Sequence, residues 1–172
     1  LNPGFQDILT GSGVVLNGQH YPCIQTLLQK WIREEMCPNG LCPIHGDLTL
    51  ENILYNPQTG DYCLIDPSGS RYMDAIEMDT AKLFQSLICD YVEWNEVKPP
   101  LEEVSLGSYQ IPESYLKDKY HRVQHLYKPL EYQKGLFYMS TYFIRMVPFM
   151  MAKSLEHAQF VLVLASYYLN LR

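Results

Sequence analysis

Three oxygen-bearing side chains, Asp47, Asn52 and Asp66, stand in otherwise apolar surroundings, and the chain between them narrows what it can fold into. Asp47 and Asn52 are five residues apart across the short segment His45-Gly46-Asp47-Leu48-Thr49-Leu50-Glu51-Asn52. Ile53-Leu54-Tyr55, the turn residues Asn56-Pro57-Gln58-Thr59-Gly60 and Tyr62-Cys63-Leu64-Ile65 then read as a small β-hairpin. A tight hairpin returns its second strand to the start of its first, so Asp66 is expected close to Asn52. Three hard oxygen donors at one end of a hairpin suit Mg²⁺, which takes one or two carboxylates and keeps waters and substrate phosphates as its other ligands. The carboxylate left over, Asp47, is then free to orient a hydroxyl and accept its proton.

Helical stripes flank this segment. Ile24, Leu27, Leu28, Trp31 and Ile32 recur at helical spacing and predict a helix from Cys23 to Pro38 with those residues buried. Ile76, Leu83, Phe84, Leu87, Ile88 and Tyr91 predict another over residues 74–93. Tyr115 to Tyr127 is expected to be helical. Leu130 to Val147 and Ser154 to Leu169 predict two long, mostly buried helices broken at Pro148, with Ser154 as an N-cap. Residues 1–21, with Asn2-Pro3-Gly4, Gly11-Ser12-Gly13 and Asn17-Gly18, read as an irregular lead-in. Residues 96–114, rich in Pro and Glu, read as an insertion or connecting loop.

A chain of 172 residues with 47% hydrophobic and 19% charged residues is long enough for one domain, 1–172, with a real core. Its net charge of −6 gives no pull toward a phosphate backbone or an anionic lipid surface, so neither nucleic acid nor membrane is an expected partner. No stretch reaches the ~18 apolar residues of a membrane span; Leu136 to Ala152 is interrupted by Arg145 and Pro148. Five cysteines, an odd number, point to reduced thiols and a cytoplasmic setting. No signal peptide is read at the start, and a chain beginning at Leu1 is expected to be a piece of something longer.

In order, IHGDLTLENILY and CLIDPSG resemble the signature H-G-D-x-x-x-x-N, hairpin, hydrophobic-hydrophobic-Asp of the phosphotransferase family of aminoglycoside and choline kinases, which share the protein-kinase-like fold. The motifs cover residues 23–95; over the C-terminal helices the likeness is one of character. Gly46 stands where protein kinases have Arg, removing a cation that pairs with a phosphorylated loop and favouring a small-molecule kinase. The resemblance implies that Asp47 is the catalytic aspartate positioning the acceptor hydroxyl. It implies that Asn52 and Asp66 are the Mg²⁺ ligands that hold the phosphates of ATP, that His45 supports the loop, and that Asp79, in MDAIEMDTAKL, bonds the loop backbone. The fold implied is mainly α with a small β-hairpin, the C-terminal lobe of that family. Gly11-Ser12-Gly13-Val14-Val15 reads as a plain turn, not as the family's Gly-rich loop, and no lysine-bearing strand follows it. The nucleotide lobe is therefore expected to belong to the N-terminal part of a parent protein, with this chain inactive by itself.

Cys37, Cys42 and His45 form a loose zinc pattern with no second Cys pair, and His45 is better used in the kinase motif. His121 and His125 lack the Glu of a metalloprotease helix and read as surface histidines. Tyr138, Tyr142, Phe143, Tyr167 and Tyr168 read as helix packing. Glu93, Glu96, Glu102, Glu103 and Glu113 read as a solvated acidic loop, with an acidic, aromatic pocket for a cationic alcohol as the sharper alternative. A non-catalytic, kinase-shaped binding or assembly module is the function from another class.

Overall fold

A computed structural model describes residues 3–33, 36–68, 73–113, 115–116 and 123–171. Its centre is the last helix. Among the described residues, α1 (Pro3–Thr10), α2 (Ile24–Arg33), α3 (Ile76–Leu87) and α4 (Tyr91–Glu96) precede the long α5 (Pro129–Lys153) and α6 (Leu155–Asn170). Every residue of α6 from Ala158 to Leu169 is buried, because its sequence is apolar on all faces and α1, α2, α5 and a small sheet surround it. Trp31 of α2 donates its indole N–H to the Leu169 carbonyl, which locks α2 against the end of α6. One continuous apolar cluster runs from Phe5 to Leu169.

The chain is mostly helical, with small sheets. The largest has four strands in the order β2-β1-β8-β7, from β1 (Val14–Leu16), β2 (Gln19–Tyr21), β7 (Glu102–Ser105) and β8 (Ser108–Gln110). It corrects two expectations. The stretch read as an irregular lead-in over 1–21 is ordered where it is described: residues 3–21 form α1 and the hairpin β1–β2, whose turn residues Asn17 and Gly18 both take positive φ. Residues 96–114 are not simply a loop, since β7 and β8 form a second hairpin and β8 pairs parallel with β1. The Asn17 amide joins the two segments, donating to the Ile111 carbonyl at 2.8 Å and accepting from the Ile111 N–H at 2.9 Å. Pairing between segments so far apart leaves no trace in local periodicity.

Three helix expectations also change. The 74–93 stripe is two helices, because Asp90 adopts a left-handed conformation between α3 and α4. Pro148 does not break α5, which runs through it to Lys153; the chain turns at Ser154, whose hydroxyl accepts from the His157 N–H at 3.2 Å. A proline removes one helical hydrogen bond, and here the buried Phe143 and Met150 on either side of it keep the helix in register. In α2, Ile24, Leu27 and Trp31 are buried, but Ile32 is 69% exposed, so the buried stripe is narrower than expected. Much of 115–127, and His121 with it, lies outside the described residues.

Two short ladders flank the segment of interest: β3 (Cys42–Pro43) pairs antiparallel with β6 (Met73–Asp74), and β4 (Ile53–Tyr55) with β5 (Tyr62–Leu64). Helix α3 is held against α5 where Gly135 meets Phe84. A Cβ at 135 would lie 2.5 Å from the Phe84 ring, itself fully buried and flanked by Tyr127 and Tyr132 at 5.0 and 5.3 Å between centroids. Gly135→Ala is therefore expected to lower stability by about 1–3 kcal/mol through overpacking, against the roughly 1 kcal/mol by which alanine favours an isolated helix. A urea midpoint that rises in the variant would refute this contact as the determinant of helix spacing.

Candidate functional site

The loop from His45 to Asn52 has almost no regular structure, so its backbone donors need partners. Helix α3 supplies them. Asp79, 4% exposed, accepts from the His45 N–H at 2.7 Å through Oδ2 and from the Gly46 N–H at 2.8 Å through Oδ1. Two charge-assisted bonds offset the desolvation of this buried carboxylate. Further along α3, the Ser86 hydroxyl accepts from the Leu50 N–H at 3.2 Å.

Gly46 has φ +81°, a left-handed conformation, and a Cβ there would meet the Ser68 Oγ at 2.9 Å. Ser68 is sewn to the same place, its N–H donating to the His45 carbonyl at 2.8 Å. The His45 ring reaches the Ile65 carbonyl at 2.9 Å through Nε2. A carbonyl can only accept, so Nε2 carries a proton, and Nδ1 faces the Asp47 N–H at 3.4 Å. His45 therefore ties the loop to the end of β5.

Asp47 and Asn52 meet directly. The Asn52 Nδ2 donates to the Asp47 carbonyl at 2.8 Å and lies 3.4 Å from the Asp47 Oδ2. The Thr49 N–H donates to the Asp47 carbonyl, and a single 3-10 turn, Leu50–Asn52, delivers Asn52 to the start of β4. The Ile65 N–H donates to the Asn52 carbonyl at 3.0 Å, so the hairpin base sets Asp66 one residue beyond Asn52's partner. Asp66 is exposed and takes a left-handed φ of 56°, which turns the chain out of the strand. With Nδ2 committed to Asp47, the amide oxygen of Asn52 is its remaining metal-binding end. One amide oxygen and one neighbouring carboxylate fit Mg²⁺ bound jointly with phosphates. They do not make an all-protein cage: among the described residues no group of three or more His, Cys, Asp or Glu is placed to hold a metal.

The structure adds residues that the sequence reading passed over. Lys82 Nζ lies 3.0 Å from the Asp47 Oδ1 and 4.9 Å from the centroid of the Tyr142 ring. Lys82 is three residues after Asp79, a spacing that puts both on one face of α3, and this was the available signal. The Arg145 guanidinium lies 5.3 Å from the same ring. Tyr142, expected as packing, does pack against the core and also lines a cavity of about 340 Å³ beside Asp47 with Asp74, Met78, Lys82 and Arg145. Burial pushes the Tyr142 phenol above its usual range, with Arg145 opposing and Asp79, Asp74 and Asp47 adding to the rise. Phe143, Tyr167 and Tyr168 are core residues.

The acidic residues of 96–114 do not gather at Asp47. Glu102 and Glu113 line a separate concavity of about 640 Å³ with Asn17 and Pro99–Pro100, and Glu93 bonds the Tyr115 hydroxyl at 3.1 Å. None of the five cysteines forms a disulfide, and the His45 ring contacts the Ile65 carbonyl, not Cys37 or Cys42. Among the described residues, no helix is long and apolar enough to cross a membrane. No family model, curated protein or solved structure matches the chain.

Asp79→Ala is expected to destabilise the protein by about 1.5–3 kcal/mol per charge-assisted bond lost and to speed amide exchange at His45 and Gly46 selectively. Unchanged exchange at these two amides, measured by NMR, would show that Asp79 does not hold the loop.

Proposed function

We propose that this chain carries the hydroxyl-activating and metal-holding half of an ATP- and Mg²⁺-dependent phosphotransferase acting on a small molecule, in the protein-kinase-like fold and in a cytoplasmic setting. The observation that carries this reading is the contact of the Asn52 amide with Asp47 at the hairpin base, where the Ile65 N–H donates to the Asn52 carbonyl and Asp66 follows next in the chain. Five cysteines with no disulfide among them support the compartment.

Each residue then has a task. Asp47 receives the acceptor's hydroxyl and takes its proton as that oxygen attacks the terminal phosphorus; the bond to the bridging oxygen breaks, and ADP leaves. Its carboxylate has ~4 lone-pair sites, so the contacts to Lys82 and Asn52 leave room for the hydroxyl. Lys82 and Asn52 hold that carboxylate in one orientation, which is where positioning contributes to rate. Asn52 and Asp66 would hold Mg²⁺, which when bound neutralises phosphate charge. Beside them Tyr55, Tyr62 and Leu64 are exposed on one face of the hairpin, an apolar surface suited to a flat nucleobase.

The test is ATP turnover by the protein expressed with whatever sequence precedes Leu1 in its gene, with Mg²⁺ and a panel of small hydroxyl compounds. Asp47→Ala should lower turnover by about 10²–10⁴-fold, and Asp66→Ala should weaken Mg²⁺–ATP binding. Turnover retained in Asp47→Ala removes Asp47 from this role. Absence of Mg²⁺–nucleotide binding to the unaltered protein would favour a non-catalytic, kinase-shaped binding module.

A further inference from the structure

The cavity beside Asp47 has an unusual wall for a site that is to receive an alcohol. Two cations, Lys82 and Arg145, approach one aromatic ring, Tyr142, from two different helices. Lys82 is neutralised by Asp47. Arg145 is not: among the described residues no carboxylate lies within ion-pairing distance of it, and it is exposed at the cavity rim. The other acidic wall residue, Asp74, has its Oδ1 engaged by the Ala75 N–H at 2.8 Å. The Tyr142 phenol is half-buried and remains protonated at neutral pH, so it is a neutral donor. The larger concavity elsewhere carries Glu102 and Glu113 and no basic side chain, so the basic groups belong to the Asp47 side alone of these two.

We propose that this cavity is the acceptor subsite and that it selects an acceptor bearing an oxyanion, a carboxylate or a phosphate, seated on Arg145 with help from Tyr142 while its hydroxyl points to Asp47. This rests on the phosphotransferase reading and reverses the cationic-alcohol expectation drawn from the acidic 96–114 segment. A guanidinium offers paired N–H donors matched to two oxygens of one oxyanion, whereas an amine would meet Arg145 and Lys82 as like charges. Arg145 already lies over the Tyr142 ring, so less side-chain freedom is lost when the anion arrives.

The experiment follows the Arg145 Nε–H and Tyr142 ring signals by NMR. Inorganic phosphate, acetate and methylammonium are titrated into the protein, first alone and then with a saturating Mg²⁺ complex of a non-hydrolysable ATP analogue. Phosphate and acetate are the two oxyanion sources, and the tighter of them names the class of acceptor. Either should give saturable shifts, and methylammonium should not. In Arg145→Gln the affinity read from Tyr142 should fall about ten-fold, the size of one charge-assisted hydrogen bond. Arg145→Lys should recover part of it, because the charge returns without the fork. The oxyanion should still bind when the nucleotide analogue is present.

Three results overturn the proposal: no saturable shift with either oxyanion, a preference for methylammonium, or displacement of the oxyanion by the nucleotide analogue. The last would assign Arg145 to the nucleotide's terminal phosphate. If the analogue fails to bind while phosphate still binds at Arg145, the phosphotransferase reading falls and an oxyanion site of another purpose stands in its place.

Discussion

The carboxylates and the hydroxyl of helix α3 act as a template for a stretch of chain that cannot order itself. From Asn39 to Leu50 the backbone forms only the two-residue strand β3 and otherwise has no ladder to join. Four of its N–H groups are received by α3 side chains: Asn39 by Glu77, His45 and Gly46 by Asp79, and Leu50 by Ser86. A helix is stiff, so acceptors fixed on it fix the segment they hold. Asp47 and Asn52 sit where they do because the backbone to their N-terminal side is bonded to α3 at several points. Glu77 is itself buried, 3.8 Å from the buried Lys134 of α5, which donates to the Asn39 side chain at 2.7 Å. The same template is thus tied to the second long helix.

This makes the α3–α5 spacing a property of the site as well as of the core. Asp79 and Lys82 come from α3, Tyr142 and Arg145 from α5, and the two helices approach closely enough at Gly135 that a methyl group has no room. A shift of either helix moves a cation relative to Asp47. The ion pairs on this interface also differ in kind. Lys134 and Glu77 are both buried, and such a pair holds position at the expense of desolvation. Lys82 and Asp47 are partly open, with Asp47 42% exposed, so this pair can be re-formed around an incoming group.

The sequence was most legible where chemistry and local pattern coincided. The return of the chain from Asn52 to Ile65 is readable because a hairpin flanked by turn residues has one closing geometry, and the Ile65–Asn52 backbone bond expresses it. Ser154 as an N-cap and the buried stripe of α2 followed from period and residue type. The four-stranded sheet was not readable: strands of three or four residues carry too little alternation, and β1 and β8 meet across more than ninety residues. Pro148 misled because the rule concerns the backbone alone, whereas here packing on both sides outweighed one lost bond. Lys82, Tyr142 and Arg145 were missed for a related reason. A lysine, a tyrosine and an arginine at helical spacing look like a solvated face and a core face, and only the crossing of α3 and α5 makes them neighbours.

The hairpin β4–β5 contrasts with this anchored base. Its residues Leu54, Tyr55, Tyr62 and Leu64 are all exposed, on both faces of a two-stranded ribbon, and an isolated ribbon of this size has little stability of its own in water. What fixes it is the junction: the Ile65 N–H on the Asn52 carbonyl and the His45 ring on the Ile65 carbonyl. Asp66 lies immediately past that junction, whereas the turn at Asn56 to Gly60 lies at the far end. The structure therefore divides its constraint unevenly, holding Asp47 and Asn52 at the base while leaving apolar strand surface beside them uncovered among the described residues. That division is what a site needs if a charged group must be met at a fixed distance while a flat apolar one settles on an adjustable surface.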